Sequence, residues 1–289
     1  MMKKPALLLV AFLLLTACAP LTVPSSPTAS FTPTWSLTPI ASATPTLTIP
    51  PIPSITPTAS PTSTETPRPE VVPTLPHLGV EFIYHGDREK ALVALTFDVC
   101  QKPEYPAWFD EGILNVLELY DVPATFFMGG DWMRTHPQET VRLAQNPNFE
   151  LGNHSWSHPD LPDLDETQIS QEIIKTQEML YELTGRQSRL FRLPSGLYND
   201  LTLSVIAWQG LYTIQWDVET GDPDPTIDAA RMNKAVRERV KNGSIIIMHA
   251  NGRGWHTAEA LPEMIETLRG MGFTLVTVSQ LLGLEPAAP

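Results

Sequence analysis

From Ala91 onward, short apolar runs alternate with amphipathic stretches, and this alternation restricts the chain to a parallel α/β sheet or barrel. Ala91-Leu92-Val93-Ala94-Leu95-Thr96-Phe97 is a compact apolar run stopping at Asp98, as a buried strand does. Residues 124–128, 149–152, 190–193, 211–216, 244–248 and 273–278 read as further strands, about seven in all. Residues 109–120, 137–144, 166–183, 199–209, 227–240 and 256–269 carry helical periodicity, and Gly185 is placed to cap the third of these helices. The connections are too short for a second folded domain. Several strands end in a polar or ionisable residue: Asp98, Arg192, Asp217 and His249. In parallel α/β folds the carboxyl ends of the strands form the active face.

The region before His77 has a different character. More than half of the 29 prolines fall there, amid Thr and Ser, so residues 18–76 are expected to form an extended tether spanning on the order of 40 Å as a coil. Ahead of it, Lys3 and Lys4 precede an apolar run at 6–15 that is too short to cross a bilayer comfortably. Leu15-Thr16-Ala17-Cys18 resembles the lipobox of bacterial lipoproteins. That resemblance implies a signal peptide at 1–17, lipid attachment at Cys18, and an extracytoplasmic protein anchored to the bacterial cell membrane. Residues 77–289 are left as the single folded domain. The formal net charge of -13 argues against nucleic acid as a partner.

Within the domain, Gly152-Asn153-His154-Ser155-Trp156-Ser157-His158 sets two histidines four residues apart. On a helical turn that spacing brings both imidazoles to one side, where they can share a metal ion with a third ligand or water. Asp98 has the chemistry of a general base, His249 that of a general acid, and Arg192 could hold the base ionised through a bidentate contact. Singly, each has an ordinary explanation: a helix cap, a satisfied core histidine, a surface ion pair. Together on one rim they point to metal-dependent hydrolysis.

Thr96-Phe97-Asp98, His154-Ser155-x-x-His158, Arg192-x-Pro194-x-Gly196 and Ile247-x-His249, in that order, resemble the motifs of the NodB-homology polysaccharide deacetylases, carbohydrate esterase family 4. Flanking stretches are similar, among them 122–127 and Thr257-Ala258-Glu259-Ala260-Leu261, and the resemblance covers roughly residues 91–282. It implies a distorted (β/α) barrel and removal of acetyl groups from amino-sugar polymers such as peptidoglycan or chitin, with a divalent metal, zinc by expectation, as cofactor. Asp98 would be the base, His154 and His158 the metal ligands, His249 the acid, Arg192 the orienting group for Asp98, and Asp222 the tuner of His249. Pro194 and the Ser195 N–H would help stabilise the oxyanion. An acetylated polysaccharide and the membrane are the partners implied, with the protein acting as a monomer.

Three departures from the family pattern stand out. The second acid of the first motif, a metal ligand in the family, is Val99; Ser195 replaces an aromatic; Glu219 and Pro223 alter the fourth motif. Val99 leaves three outcomes open: a site of two histidines and water, recruitment of the Cys100 sulfur, or loss of catalysis. The default for Cys100 is a buried apolar thiol. The competing functions are therefore a deacetylase (an O-acetyl esterase being its variant), a catalytically silent carbohydrate-binding protein, and another metal-dependent amidohydrolase. Trp156, Trp208, Trp216 and Trp255 are candidates for sugar stacking, with core burial the expectation for Trp208 and Trp216.

Overall fold

The computed structural model describes residues 75–102 and 107–284, so the expected signal peptide, Cys18 and nearly all of the tether lie outside the described residues. In chain order the elements are β1 (Phe82–Ile83), β2 (Leu92–Val99), α1 (Glu111–Leu119), β3 (Ala124–Met128), α2 (Gly130–Thr135), α3 (Pro137–Gln145), β4 (Phe149–Asn153), α4 (Glu166–Thr184), β5 (Leu190–Phe191), α5 (Asp200–Trp208), β6 (Tyr212–Ile214), β7 (Val218–Glu219), α6 (Ala229–Arg239), β8 (Ser244–His249), α7 (Thr257–Gly270), β9 (Thr274–Val276) and α8 (Val278–Leu282). The strands pair in the order β1-β6-β5-β4-β3-β2-β8-β7, and β9 adds to the amino half of β2. Every strand pair is parallel, and the result is a distorted (β/α) barrel. Among the described residues the sheet has nine strands, against about seven expected. The two extra ones, β1 and β7, are two residues each, too short to show a period.

Strand β2 shows how the sequence sorts its faces. Val93, Leu95, Phe97 and Val99 enter the large cluster beneath the helices, with Ile113, Leu117, Leu261 and Ile265. Ala94 turns inward to Phe127, Ile214 and Ile245. Thr96 and Asp98 continue that inward row, so period-two alternation delivers a carboxylate to the carboxyl end of the barrel. The register then sets Asp98 beside His249 on one side and Phe127 on the other.

Several local expectations change. Residues 273–278 do not form one strand: β9 stops at Val276, and Thr277 opens α8 through a capping box with Gln280. Gly129-Gly130 ends β3 and at once starts α2, a helix not among those expected from the sequence. The packed domain begins before His77, because Leu75 lies against the Phe191–Leu211 cluster and the His77 ring stacks on Trp208. Trp208 is 64% exposed rather than core, and Trp216 is half-buried. Asp217 is not on the active rim. It accepts from Ser244 Oγ and the Ile245 N–H at the amino end of β8 and pairs with Arg88 at 2.7 Å, a purely structural role.

Candidate active site

The two histidines do not lie on a helical turn. They sit in the loop that leaves β4, and Ser155 and His158 both adopt left-handed backbone, with φ of 63° and 58°. Non-glycine residues there cost on the order of 1–3 kcal/mol and persist only where surroundings impose them. Here Asn153 Oδ1 accepts the Ser155 N–H, Ser155 Oγ accepts the His158 N–H, and the first N–H groups of α2 bond the carbonyls of Ser155 and Trp156. The orphan donors of a helix start thus clamp the loop. The imidazoles end 5.0 Å apart, centroid to centroid, at 75° to one another.

Asp98 is the centre of the charged network. Arg192 Nη1 reaches its Oδ1 at 2.9 Å, and His154 Nε2 lies 3.5 Å from its Oδ2. The arginine contact is single rather than bidentate. Its remaining donors go to Thr96 Oγ1 and the carbonyls of Ile214 and Gln215, and its guanidinium lies 3.9 Å from the Phe127 ring centroid. Arg192 is wholly buried. Burial alone would raise the Asp98 carboxyl, but the facing His154, Arg192 and His249 outweigh it and hold it below its ordinary value.

His154 directs Nδ1 at the Arg192 carbonyl, 3.0 Å away, which leaves Nε2 as its free ring nitrogen. His154 Nε2 and His158 Nδ1 are both buried without a hydrogen-bond partner. Burial holds His154 below its usual value and, with His154 and Lys102 nearby, pushes His158 down to about 3. Two neutral, buried imidazoles with unpartnered nitrogens fit a metal ion, the group the fold family implies. Cys100 is the third member of the cluster: one ligand atom each from Cys100, His154 and His158 lie within 4.8 Å of one another. Burial and the Asp98 charge push the ion-free Cys100 thiol up to about 12. Val99, by contrast, faces the outer core and is wholly buried there.

His249 donates Nδ1–H to Asp222 Oδ1 at 3.0 Å, and its backbone N–H reaches Oδ2 at 2.6 Å. Thr257 Oγ1 and Thr220 Oγ1 donate to the same carboxylate. A side chain on Gly254 would strike the His249 carbonyl and Thr257 Oγ1, so that position is held to glycine by contact. These threonines, and Asn251 beside Cys100, were not singled out from the sequence, although Thr257 lies within one of the stretches that carry the resemblance. Pro194 is buried, whereas Ser195 sits exposed at φ 55° on the rim turn. Glu219 accepts from Trp216 Nε1 at 3.1 Å and so braces the ring near Arg192.

Fold and rim together define a (β/α) barrel with an ionisable, metal-compatible site at the carboxyl ends of its strands. The chain belongs to the polysaccharide deacetylase family: the family model "Polysaccharide deacetylase" matches residues 85–214. YlxY of Bacillus subtilis is 33% identical over 211 residues, covering 72% of this chain and 62% of that protein, so the match leaves more than a third of YlxY's length unmatched. The solved Bc1960 peptidoglycan N-acetylglucosamine deacetylase is 30% identical with a TM-score of 0.66, covering 72% of this chain and 95% of that one. BA3943 of Bacillus anthracis, solved as a pseudoenzyme of carbohydrate esterase family 4, is also 30% identical, with a TM-score of 0.63 over 71% of this chain and 69% of its own. A mutant of BA3943 with restored enzymatic activity has been solved as well.

Proposed function

We propose that this domain is a metal-dependent deacetylase that removes acetyl groups from acetylated amino-sugar polymer at the cell envelope, with peptidoglycan the favoured substrate. The observation that carries the reading is the convergence of a buried, ionised Asp98 with two buried imidazole nitrogens that have no partner. Peptidoglycan as substrate rests on the similarity to Bc1960, a peptidoglycan N-acetylglucosamine deacetylase. His154 and His158 would hold the ion, which supplies Lewis-acid polarisation of the acetyl carbonyl and a more acidic water. Asp98, kept ionised by Arg192, takes the proton from the attacking water. His249, its Nδ1–H fixed on Asp222, presents Nε2 to the leaving nitrogen and gives it a proton. The Ser195 N–H on its left-handed turn is assigned to the developing oxyanion, and Pro194 fixes that turn.

A second reading has a specific observation in its favour. Val99 stands where the family carries a metal-binding acid, and a pseudoenzyme with the same fold is 30% identical. On that reading the domain binds glycan without turnover. Acetate release from acetylated chitooligomers and from peptidoglycan strands, with metal content measured in parallel, separates the two. Release abolished by Asp98→Asn and His154→Ala supports the deacetylase; glycan binding without release from either polymer supports the silent binder.

The cellular setting belongs to the same proposal. Acylation of Cys18 and the 18–76 tether would hold the domain at the outer face of the membrane, within reach of wall glycan. Cys18→Ala should move the protein from the membrane fraction to the medium, and retention of the variant in the membrane would rule out the lipid anchor.

A further inference from the structure

We infer that Cys100 is the third protein ligand of the metal site, its thiolate taking the place of the carboxylate that Val99 cannot provide. The inference deepens the deacetylase reading and rests on it for the identity of the site. Three independent placements carry it. First, alternation past Asp98 turns Val99 into the outer core and Cys100 back toward the rim, so the sulfur shares one 4.8 Å cluster with the ligand nitrogens of His154 and His158. Second, each imidazole carries a buried nitrogen without a hydrogen-bond partner, His154 Nε2 and His158 Nδ1. Third, Cys100 is held by its surroundings. Asn251 Nδ2 donates to its carbonyl at 2.6 Å and approaches Sγ at 3.5 Å. Gly129 lets the Cys100 backbone come close, since a Cβ there would sit 3.1 Å from Cys100 Cα.

A thiolate carries the same single negative charge as the missing carboxylate, so the ligand set keeps its charge while becoming softer. A Cys-His-His set selects zinc over harder ions such as magnesium or manganese. On binding, the S–H bond breaks, its proton passes to water, and a metal–sulfur bond forms. Asn251 is a positioning residue: its amide donates toward the sulfur and fixes the turn on which Cys100 sits.

The test is a titration of cobalt(II), a spectroscopic stand-in for zinc, into the metal-free full chain. The expected result is an intense near-ultraviolet thiolate-to-cobalt charge-transfer absorption that saturates at one equivalent. Cys100→Asp and Cys100→Ser should bind cobalt without that absorption, which assigns it to Cys100 because Cys18 is the only other cysteine. Zinc should dissociate from Cys100→Ser at least about tenfold more readily. Cobalt bound without the charge-transfer absorption, or no cobalt bound, overturns the inference. Should a variant misfold, the wild-type spectrum alone still decides. Acetate release is scored separately. Deacetylation without the sulfur absorption removes Cys100 and leaves the deacetylase standing, whereas the absorption without deacetylation keeps Cys100 and removes the activity.

Discussion

Arg192 reaches across the barrel from the end of β5 to place Nη1 2.9 Å from Asp98 Oδ1, and both groups are removed from water. Such a pair is costly to form but far costlier to break on one side, because the survivor is left buried and uncompensated. Arg192→Ala should therefore lower unfolding free energy by about 3–5 kcal/mol as well as abolish acetate release. Asp98→Asn keeps the shape but leaves the buried Arg192 charge unpaired, so it should cost stability as well as remove the base. It should cut acetate release by about 10²-fold or more. Urea unfolding and acetate assays on both variants check both effects; an Asp98→Asn enzyme of near wild-type rate would remove Asp98 as base.

Asp222 accepts four hydrogen bonds, from the His249 backbone and ring and from Thr220 and Thr257. An asparagine amide cannot accept all four, and its NH2 group would face donors. Asp222→Asn should lower kcat by about 10²-fold or more through a misoriented acid. Thr257→Val removes one donor only and should cost about 1 kcal/mol of stability with a small change in kcat. Steady-state kinetics with thermal melts distinguish the two. Equal losses of kcat in both variants would show that Asp222 acts as packing rather than through His249.

The fold was largely legible because it is written in apolar runs: β2, β3 and β8 each announce themselves, and β2 and β8 end at the rim residues Asp98 and His249. The site was legible as a set of residue types but less so as geometry. The spacing of His154 and His158 suggested a helical turn, whereas tertiary bonds from α2 impose left-handed backbone at Ser155 and His158. No local pattern encodes a clamp made by a helix start more than twenty residues away in sequence. Asp217 was misplaced for a related reason: it follows β6 in the sequence, yet its partners Arg88, Ser244 and Ile245 hold it at the opposite end of β8. Thr220, Thr257 and Asn251 act through a single hydroxyl or amide, a signal that composition and periodicity do not carry.

A metal ion that binds only the folded site must stabilise the fold. With free zinc at about 100 times its dissociation constant, the gain should be about 2.7 kcal/mol. Differential scanning calorimetry of the full chain with zinc, and after chelation, measures it. His154→Ala should abolish the zinc-dependent rise in Tm, because it removes one of the two unpartnered ring nitrogens. A zinc response that survives His154→Ala would place the ion elsewhere.

Val99 invites the obvious repair, restoration of the family's second acid, and the structure predicts that this repair fails. The Val99 side chain is wholly buried in the outer core among Phe97, Met128 and Trp132, on the face of β2 turned away from Asp98. A carboxylate there meets no cation in that cluster and must either stay charged in an apolar layer or take up a proton. Val99→Asp should therefore destabilise the domain by about 3–5 kcal/mol without strengthening zinc binding. Cys100→Asp places the same carboxylate on the site-facing position and should keep both the fold and the metal. Urea unfolding and zinc competition titrations of the two variants test this directly. Tighter zinc in Val99→Asp at unchanged stability would show that β2 rotates at its end, and that position 99 rather than 100 faces the ion.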